Sequence, residues 1–404
     1  MKYVIILPDG CADEKISSLG NRTVFETARI PNMLAIARQG IVGWSNNTPL
    51  ELPAGSDPAT MSLLGYDPLK YYTGRAPLEA AALGIELGPM DWAVRCNLVT
   101  IRDGKMISFN AGQISSEEGA ELIASAQKKL GSDVISFYPG VSYRNIVLWR
   151  GSEGNPAPFN GGTRTFAPHD YSEKSILNVH PAGAGSVELS ALMSEVHDIF
   201  AEHPVNKKRI AEGKLPVTDA WLWGLGVKPA MPTFAERYGK SGAMITAVDL
   251  LRGLAVILGW DCIPVKGATG FANTNFRGKG EAAVKALEKY DVVCVHVEAT
   301  DEAGHDGLPE TKVYSLEQID EHIVGPLYAA LKKYGEYRIL VTPDHPTPCR
   351  LRTHTHDNVP WIMAGTGLKS NGIGVYSEAA AAKSQVCFPK GADMMEFFIN
   401  GNIE

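Results

Sequence analysis

Several features are scarce in this chain of 404 residues, and each absence removes a class of protein. Its six cysteines (Cys11, Cys96, Cys262, Cys294, Cys349 and Cys387) are scattered and form no CxxC pair. That argues against a disulfide framework or a zinc knuckle and suits a reducing cytoplasm. Lysine and arginine are nowhere concentrated, and 38 basic residues stand against 45 acidic ones for a formal charge of −7. A nucleic-acid partner, which needs a dense positive face, is therefore not expected. No apolar run reaches membrane-spanning length, and the N-terminus enters a strand at once without a leader peptide, so a cytoplasmic protein with no membrane partner is expected. There is no internal repeat, no low-complexity segment, and no Gly-rich nucleotide cradle of recognised spacing.

What remains is an ordinary globular composition, 45% hydrophobic and 21% charged, long enough for two or three domains. Its organising stretch lies near the C-terminal end, where an apolar run over 338–343 stops at Asp344-His345 and His354-Thr355-His356 follows. Two other strands have the same shape. Tyr3 to Pro8 ends in Asp9, and the run from Asp291 to Ala299 leads to Asp301, with His305 four residues on. Apolar runs of this kind read as buried parallel strands, and ligands gather beyond the carboxyl ends of such strands. One aspartate at a strand end is an ordinary helix cap, whereas three, two of them with a nearby histidine, point to a metal site.

In chain order, helices are expected over 32–39 and 59–64, and a strand over 41–44 between them. The loop Leu52-Pro53-Ala54-Gly55-Ser56-Asp57 sets a serine just before the second helix, where it is either a plain cap or a hydroxyl placed to meet a phosphate. Residues 94–234 change texture to short alternating strands (95–101, 143–148), an amphipathic helix over 116–130 and Gly/Pro-rich connections. Strand and helix then alternate again: strand 243–248, helix 249–258, strand 261–265, helix 280–289 and one long helix over 316–333. The expected fold class is therefore α/β, a mostly parallel sheet with helices on both faces. Residues 1–93 and 235–404 form that catalytic domain, and an α+β domain over 94–234 is inserted in it.

Six of the ten histidines (His296, His305, His322, His345, His354 and His356) fall in the last third. Asp301 and His305 are four apart across Gly304, read here as a tight turn. Donor sets of oxygen and imidazole without thiolate suit Mn²⁺, Zn²⁺ or Mg²⁺, and two such ions turn a serine hydroxyl, with Ser56 the candidate, into a nucleophile. His296 reads as a core or supporting histidine, and His322 as surface or packing. His354 and His356 both remain open as ligands, since an extended chain points both rings to one side.

The ordered set Pro8-Asp9-Gly10, Gly55-Ser56-Asp57, Asp301-x-x-x-His305, Asp344-His345 and His354-Thr355-x-x-x-Val359-Pro360 resembles the alkaline phosphatase superfamily. More narrowly, with Leu64-Gly65-Tyr66-Asp67-Pro68, Thr73-Gly74-Arg75, Arg95-Cys96-Asn97, His203-Pro204-Val205-Asn206 and Gly267-Ala268-Thr269-Gly270, it resembles the archaeal-type cofactor-independent phosphoglycerate mutases over essentially its whole length. The resemblance implies an isomerase of glycolysis and gluconeogenesis that interconverts 2- and 3-phosphoglycerate through a phosphoserine on Ser56. It implies two divalent ions, Mn²⁺ with Mg²⁺ or Zn²⁺ as alternatives, and neither bisphosphoglycerate nor nucleotide. Asp9, Ser56, Asp344 and His345 would hold one ion, and Asp301, His305 and His354 the other. Arg144, His169, Asp170 and Arg209 of the inserted domain, with Arg75, are the implied substrate contacts. Where relatives carry Asp-x-x-Ala-Gly-Arg-Ile, this chain has Asn110-Ala111-Gly112-Gln113-Ile114. A homoserine-kinase-like phosphotransferase of threonine synthesis is the enzymatic alternative. A catalytically idle, metal-bound binding protein is the alternative from another class.

Overall fold

The apolar run at the N-terminus forms strand β1 (Lys2–Pro8), which lies inside an eight-stranded sheet and is covered on both faces. Its alternate residues serve two cores: Val4 and Ile6 join one apolar cluster, Tyr3, Ile5 and Leu7 the other. Burial on both sides is why the strand is uniformly hydrophobic rather than alternating. A computed structural model describes residues 1–401. The chain divides into two compact units, Met1–Tyr72 with the segment from Ala230 onward, and Thr73–Pro229.

The sheet of the first unit also contains β2 (Ile41–Ser45), β8 (Gly242–Ile245), β9 (Asp261–Cys262), β10 (Val292–Val297), β11 (Tyr337–Val341), β12 (Val359–Gly365) and β13 (Cys387–Phe388). Its order is β13-β2-β12-β11-β1-β10-β8-β9. Every pairing is parallel except those of β12, which runs against both β11 and β2. Helices Pro31–Gln39, Phe276–Ala286 and Pro309–Ile319 supply residues to the cluster on one face. Ser56–Leu63, Asp249–Ile257 and Met394–Asn400 supply the other. Parallel β1, β10 and β11 all end at one edge, which brings Asp9, Asp301 and Asp344 to the same end of the sheet.

The second unit is a five-stranded antiparallel sheet of β3 (Trp92–Arg102), β4 (Lys105–Ser108), β5 (Ile135–Tyr138), β6 (Arg144–Trp149) and β7 (Asp219–Val227), in which β3 is flanked by β4, β6 and β7. Helices Ser116–Leu130 and Ser186–Ala201 cover one face. The chain first changes unit at Tyr72/Thr73, not near residue 93, because helix Arg75–Ala82 packs its Ala76 and Ala80 against Ala93 of β3 and against Ile146 and Leu148 of β6.

Three local expectations need correction. The helix expected over 316–333 begins at Pro309 and is broken by a turn of π-helix at Asp320–Val324. The buried Asp320 carboxylate there accepts N–H bonds from Asn32 and Met33, capping the start of helix Pro31–Gln39. The strand expected over 261–265 keeps ladder pairing only at Asp261 and Cys262. The Asp301–His305 spacing is one turn of helix Ala299–Asp306, not a tight turn. Gly304 is required there for another reason: a Cβ would run into the Thr347 carbonyl. Among the described residues, no helix is long and apolar enough to cross a membrane.

Candidate active site

At the end of β1 the chain turns through Gly10 at φ +59°, where a Cβ would strike Asp301 Oδ1 and Thr347 Oγ1. The turn lets the Gly10 N–H reach Asp344 Oδ1 at 3.1 Å, and the His345 N–H reaches the same oxygen at 3.0 Å. With Oδ1 so engaged, Asp344 Oδ2 is left buried with no hydrogen bond, and so is Asp9 Oδ1. His345 Nε2 lies 3.4 Å from Asp9 Oδ1, 3.5 Å from Asp344 Oδ2 and 3.2 Å from Ser56 Oγ. A tetrahedral ion with bonds of about 2.1 Å separates its ligands by about 3.4 Å, the spacing that His345 Nε2 keeps from each of these three oxygens. Ser56 is nearly buried at the first turn of helix Ser56–Leu63, whose N-terminal N–H groups favour negative charge.

A second set stands beside the first. His305 Nε2 is 3.2 Å from Asp301 Oδ2, His354 Nε2 is 3.6 Å from Asp301 Oδ1, and the two imidazole nitrogens are 3.0 Å apart. Their other ring nitrogens face carbonyls, His305 Nδ1 that of Arg352 at 3.0 Å and His354 Nδ1 that of Ala54 at 3.1 Å. A carbonyl only accepts, so both Nδ1 atoms carry hydrogen, and two neutral rings would turn their Nε2 lone pairs toward each other. That arrangement is repulsive unless a cation lies between them. His356 instead places Nε2 2.9 Å from the Leu52 carbonyl, bracing the loop before Ser56.

Electrostatics point the same way. Burial, reinforced by the charges of Asp344 and Asp301, pushes the Asp9 carboxyl well above its usual range. Burial opposes ionisation of Asp301 too, yet hydrogen bonds from His305 and His354 hold it well below that range. Burial also disfavours a proton on His305, but the Asp301 hydrogen bond and charge lift it to about 9. Three buried carboxylates at one place are a standing demand for positive charge.

Two residues beside Asp9 were not singled out as ligands by sequence reasoning. His296 Nε2 lies 2.6 Å from Asp9 Oδ2 and 3.4 Å from Glu298 Oε2, and its Nδ1 is 3.0 Å from Thr246 Oγ1. Asp9, His296 and Glu298 form a third group of metal-competent donors, next to Asp301-His305-His354 and Asp9-Asp301-His345. A carboxylate right after β10 and three residues before Asp301 was the available signal for Glu298.

The loops are tied together from behind by Lys312, fully buried on helix Pro309–Ile319. Its ammonium donates to Asp13 Oδ2 at 2.8 Å and to the Thr347 carbonyl at 2.8 Å, while Thr347 Oγ1 donates to Asp301. Removing one partner of such a pair strands the other. Lys312→Met is therefore expected to lower stability by about 3–5 kcal/mol, read from the denaturant midpoint. An unchanged midpoint would deny the pair this role.

In the second unit the implied substrate residues separate. Arg144 lies opposite Asn97 on β3, and the His169 ring is 5.4 Å from that of Trp223. Asp170 is largely exposed, 3.8 Å from His169. Arg209 is not among them. Its side chain is 2% exposed, paired with Glu118 and donating to the Ala111 and Leu215 carbonyls. Its length lets it reach across to residues 111 and 215 as a buried brace, so its guanidinium is used up internally.

A mostly parallel sheet with carboxylates, imidazoles and a helix-borne serine gathered at its strand ends carries the donors and the hydroxyl that metal-assisted phosphoryl transfer requires. Residues 37–206 match the family model described as 2,3-bisphosphoglycerate-independent phosphoglycerate mutase. A protein of that name from Methanothrix thermoacetophila is 44% identical over 402 residues, covering 99% of this chain and 100% of its own. One from Methanosarcina barkeri is 43% identical over 401 residues, covering 99% of each. The solved cofactor-independent phosphoglycerate mutase of Thermoplasma acidophilum superposes with a TM-score of 0.68 at 28% identity, covering 99% of both chains. The chain belongs to the 2,3-bisphosphoglycerate-independent phosphoglycerate mutase family.

Proposed function

We propose that this chain interconverts 2-phosphoglycerate and 3-phosphoglycerate without a bisphosphoglycerate cofactor, through a phosphoserine on Ser56. The observation that carries the proposal is the Ser56 hydroxyl, set on a helix N-terminus 3.2 Å from His345 Nε2 and beside the unpartnered oxygens of Asp9 and Asp344. Asp9, Ser56, Asp344 and His345 are assigned to one divalent ion, and Asp301, His305 and His354 to the other. Oxygen and imidazole donors without thiolate suit Mn²⁺, Zn²⁺ or Mg²⁺, and Mn²⁺ is the ion proposed here. Such ions, when bound, lower the pKa of the serine hydroxyl and neutralise phosphoryl charge.

Ser56 Oγ attacks phosphorus as the bond to the glycerate oxygen breaks, and the proton leaving Ser56 ends on that oxygen. The other glycerate hydroxyl then attacks the phosphoserine, and Ser56 recovers a proton as its bond to phosphorus breaks. The N–H groups of the first helical turn steady the negative charge on the phosphoserine. Residues 73–229 serve as the substrate-binding domain in this reading, with Arg75, Arg144, His169 and Asp170 as its contacts. The protein works on a small molecule in the cytoplasm, with no nucleic-acid partner.

The relatives named above are mutases and lend the homoserine-kinase alternative no support. Purified protein given Mn²⁺ and 3-phosphoglycerate alone is expected to form 2-phosphoglycerate, detected by coupling to enolase, and chelator should abolish the signal. Homoserine with ATP should yield no phosphohomoserine. The reverse pattern would move the chain to the kinase reading, and metal binding with neither activity would leave an idle binder.

A further inference from the structure

His296 stands where β10 should be apolar. Along that strand Val293, Val295 and Val297 join one core cluster, and Val292 and Cys294 join the other. Position 296 continues the second series, beside Leu7 of β1, and its imidazole is fully buried. Burying a polar ring in a core is costly unless each nitrogen has a partner, so the partners show what the ring is for.

Both nitrogens are engaged. The Val248 N–H donates to Thr246 Oγ1 at 3.1 Å, and among the described residues the only other partner of that hydroxyl is His296 Nδ1, at 3.0 Å. The hydroxyl hydrogen therefore points at Nδ1, and the ring hydrogen sits on Nε2, which donates to Asp9 Oδ2 at 2.6 Å. From helix Phe276–Ala286 the buried Lys279 ammonium donates to the His296 carbonyl at 3.2 Å, fixing the backbone that carries the ring.

The hydrogen on Nε2 decides between two roles. Asp9, His296 and Glu298 have the make-up of a third ion site. Yet an imidazole ligates through a nitrogen free of hydrogen. The 2.6 Å separation is also a hydrogen-bond length, well short of the about 3.4 Å between two ligands of one tetrahedral ion. Glu298 Oε2, 3.4 Å from the same nitrogen, is the more distant acceptor. With Oδ2 taken by His296, Asp9 keeps Oδ1 for an ion, the oxygen 3.4 Å from His345 Nε2 that has no hydrogen bond. Asp344 is treated alike, since two N–H groups take its Oδ1 and leave Oδ2 toward His345.

We infer that His296, oriented by Thr246, is a positioning residue that restrains Asp9 to one-oxygen coordination of the first ion, and that the Asp9-His296-Glu298 group holds no third ion. The inference rests on the assignment of Asp9 to that ion in the mutase reading.

The test is calorimetric titration of Mn²⁺ into full-length, metal-stripped protein without substrate. Wild type should take two ions per chain, and nitrogen-15 NMR should find hydrogen on His296 Nε2. His296→Leu should weaken one ion by about 10–100-fold, the usual worth of a group that orients a ligand, and leave the ion of Asp301, His305 and His354 unchanged. His296→Gln, whose amide can still donate to Asp9, should recover part of the loss, which a packing role alone would not allow. Should His296→Leu not fold, Thr246→Val, which leaves every ligand in place, decides by the same measurement. Three ions on wild type, hydrogen on Nδ1 alone, or a folded variant with wild-type affinity for both ions would overturn the assignment. Failure to form 2-phosphoglycerate with both ions bound would instead strike the mutase reading and leave this titration standing.

Discussion

Ser56→Ala is expected to abolish mutase turnover, by on the order of 10⁴–10⁶-fold as for loss of other catalytic nucleophiles, while the fold and metal binding survive. The hydroxyl is the group that would be phosphorylated, and no other side chain at this helix start replaces it. Both donor sets keep imidazole and carboxylate ligands without it: Asp9, Asp344 and His345 in one, Asp301, His305 and His354 in the other. The variant should therefore still bind two ions, measured by metal analysis after gel filtration, and melt near the wild-type temperature. Mass spectrometry of acid-quenched wild type should find phosphate on Ser56. A variant that keeps a substantial share of turnover would remove Ser56 from the mechanism.

His354→Ala should lose one of the two ions and most of the activity, whereas His356→Ala should retain both ions with a smaller deficit. The difference follows from where the rings point. His354 turns Nε2 toward Asp301 and His305, while His356 engages the Leu52 carbonyl. Deleting a ligand leaves two donors where three stood, and deleting a brace typically costs about 10–100-fold. Inductively coupled plasma analysis of the two purified variants decides the matter, since full occupancy in His354→Ala with loss in His356→Ala would exchange their roles.

Much of this arrangement was legible because buried parallel strands write themselves as apolar runs, and a polar residue ending such a run is conspicuous. The positions of Asp9 and Asp344 at strand ends stood out in that way, and the helix over 116–130 by its 3.6-residue stripe. Arg209 misled because a buried arginine and a substrate arginine look alike in sequence, and only the position of its acceptors tells them apart. The burial of Arg95 was not legible, because the two apolar clusters around it exist only once helix Arg75–Ala82 and β7 have come together with β3. The π turn at Asp320 was hidden for a similar reason, its cause being a helix nearly three hundred residues away in the chain.

The pairing of β1 has a consequence for the order of events during synthesis. Among the described residues its only strand partners are β10 and β11, with Tyr3 beside Val292 and Arg338. A ribosome must therefore make three-quarters of the chain before Asp9 gains a neighbouring strand. Residues 73–229 emerge in between, and every strand of their sheet pairs with another from the same span. The inserted unit can thus be finished while the first seventy residues still wait, their apolar β1 and unpaired Asp9 exposed to chaperones and proteases. The metal pocket is a late product of translation, and a truncation that spares the insert but removes β11 would leave a folded remnant with no site at all.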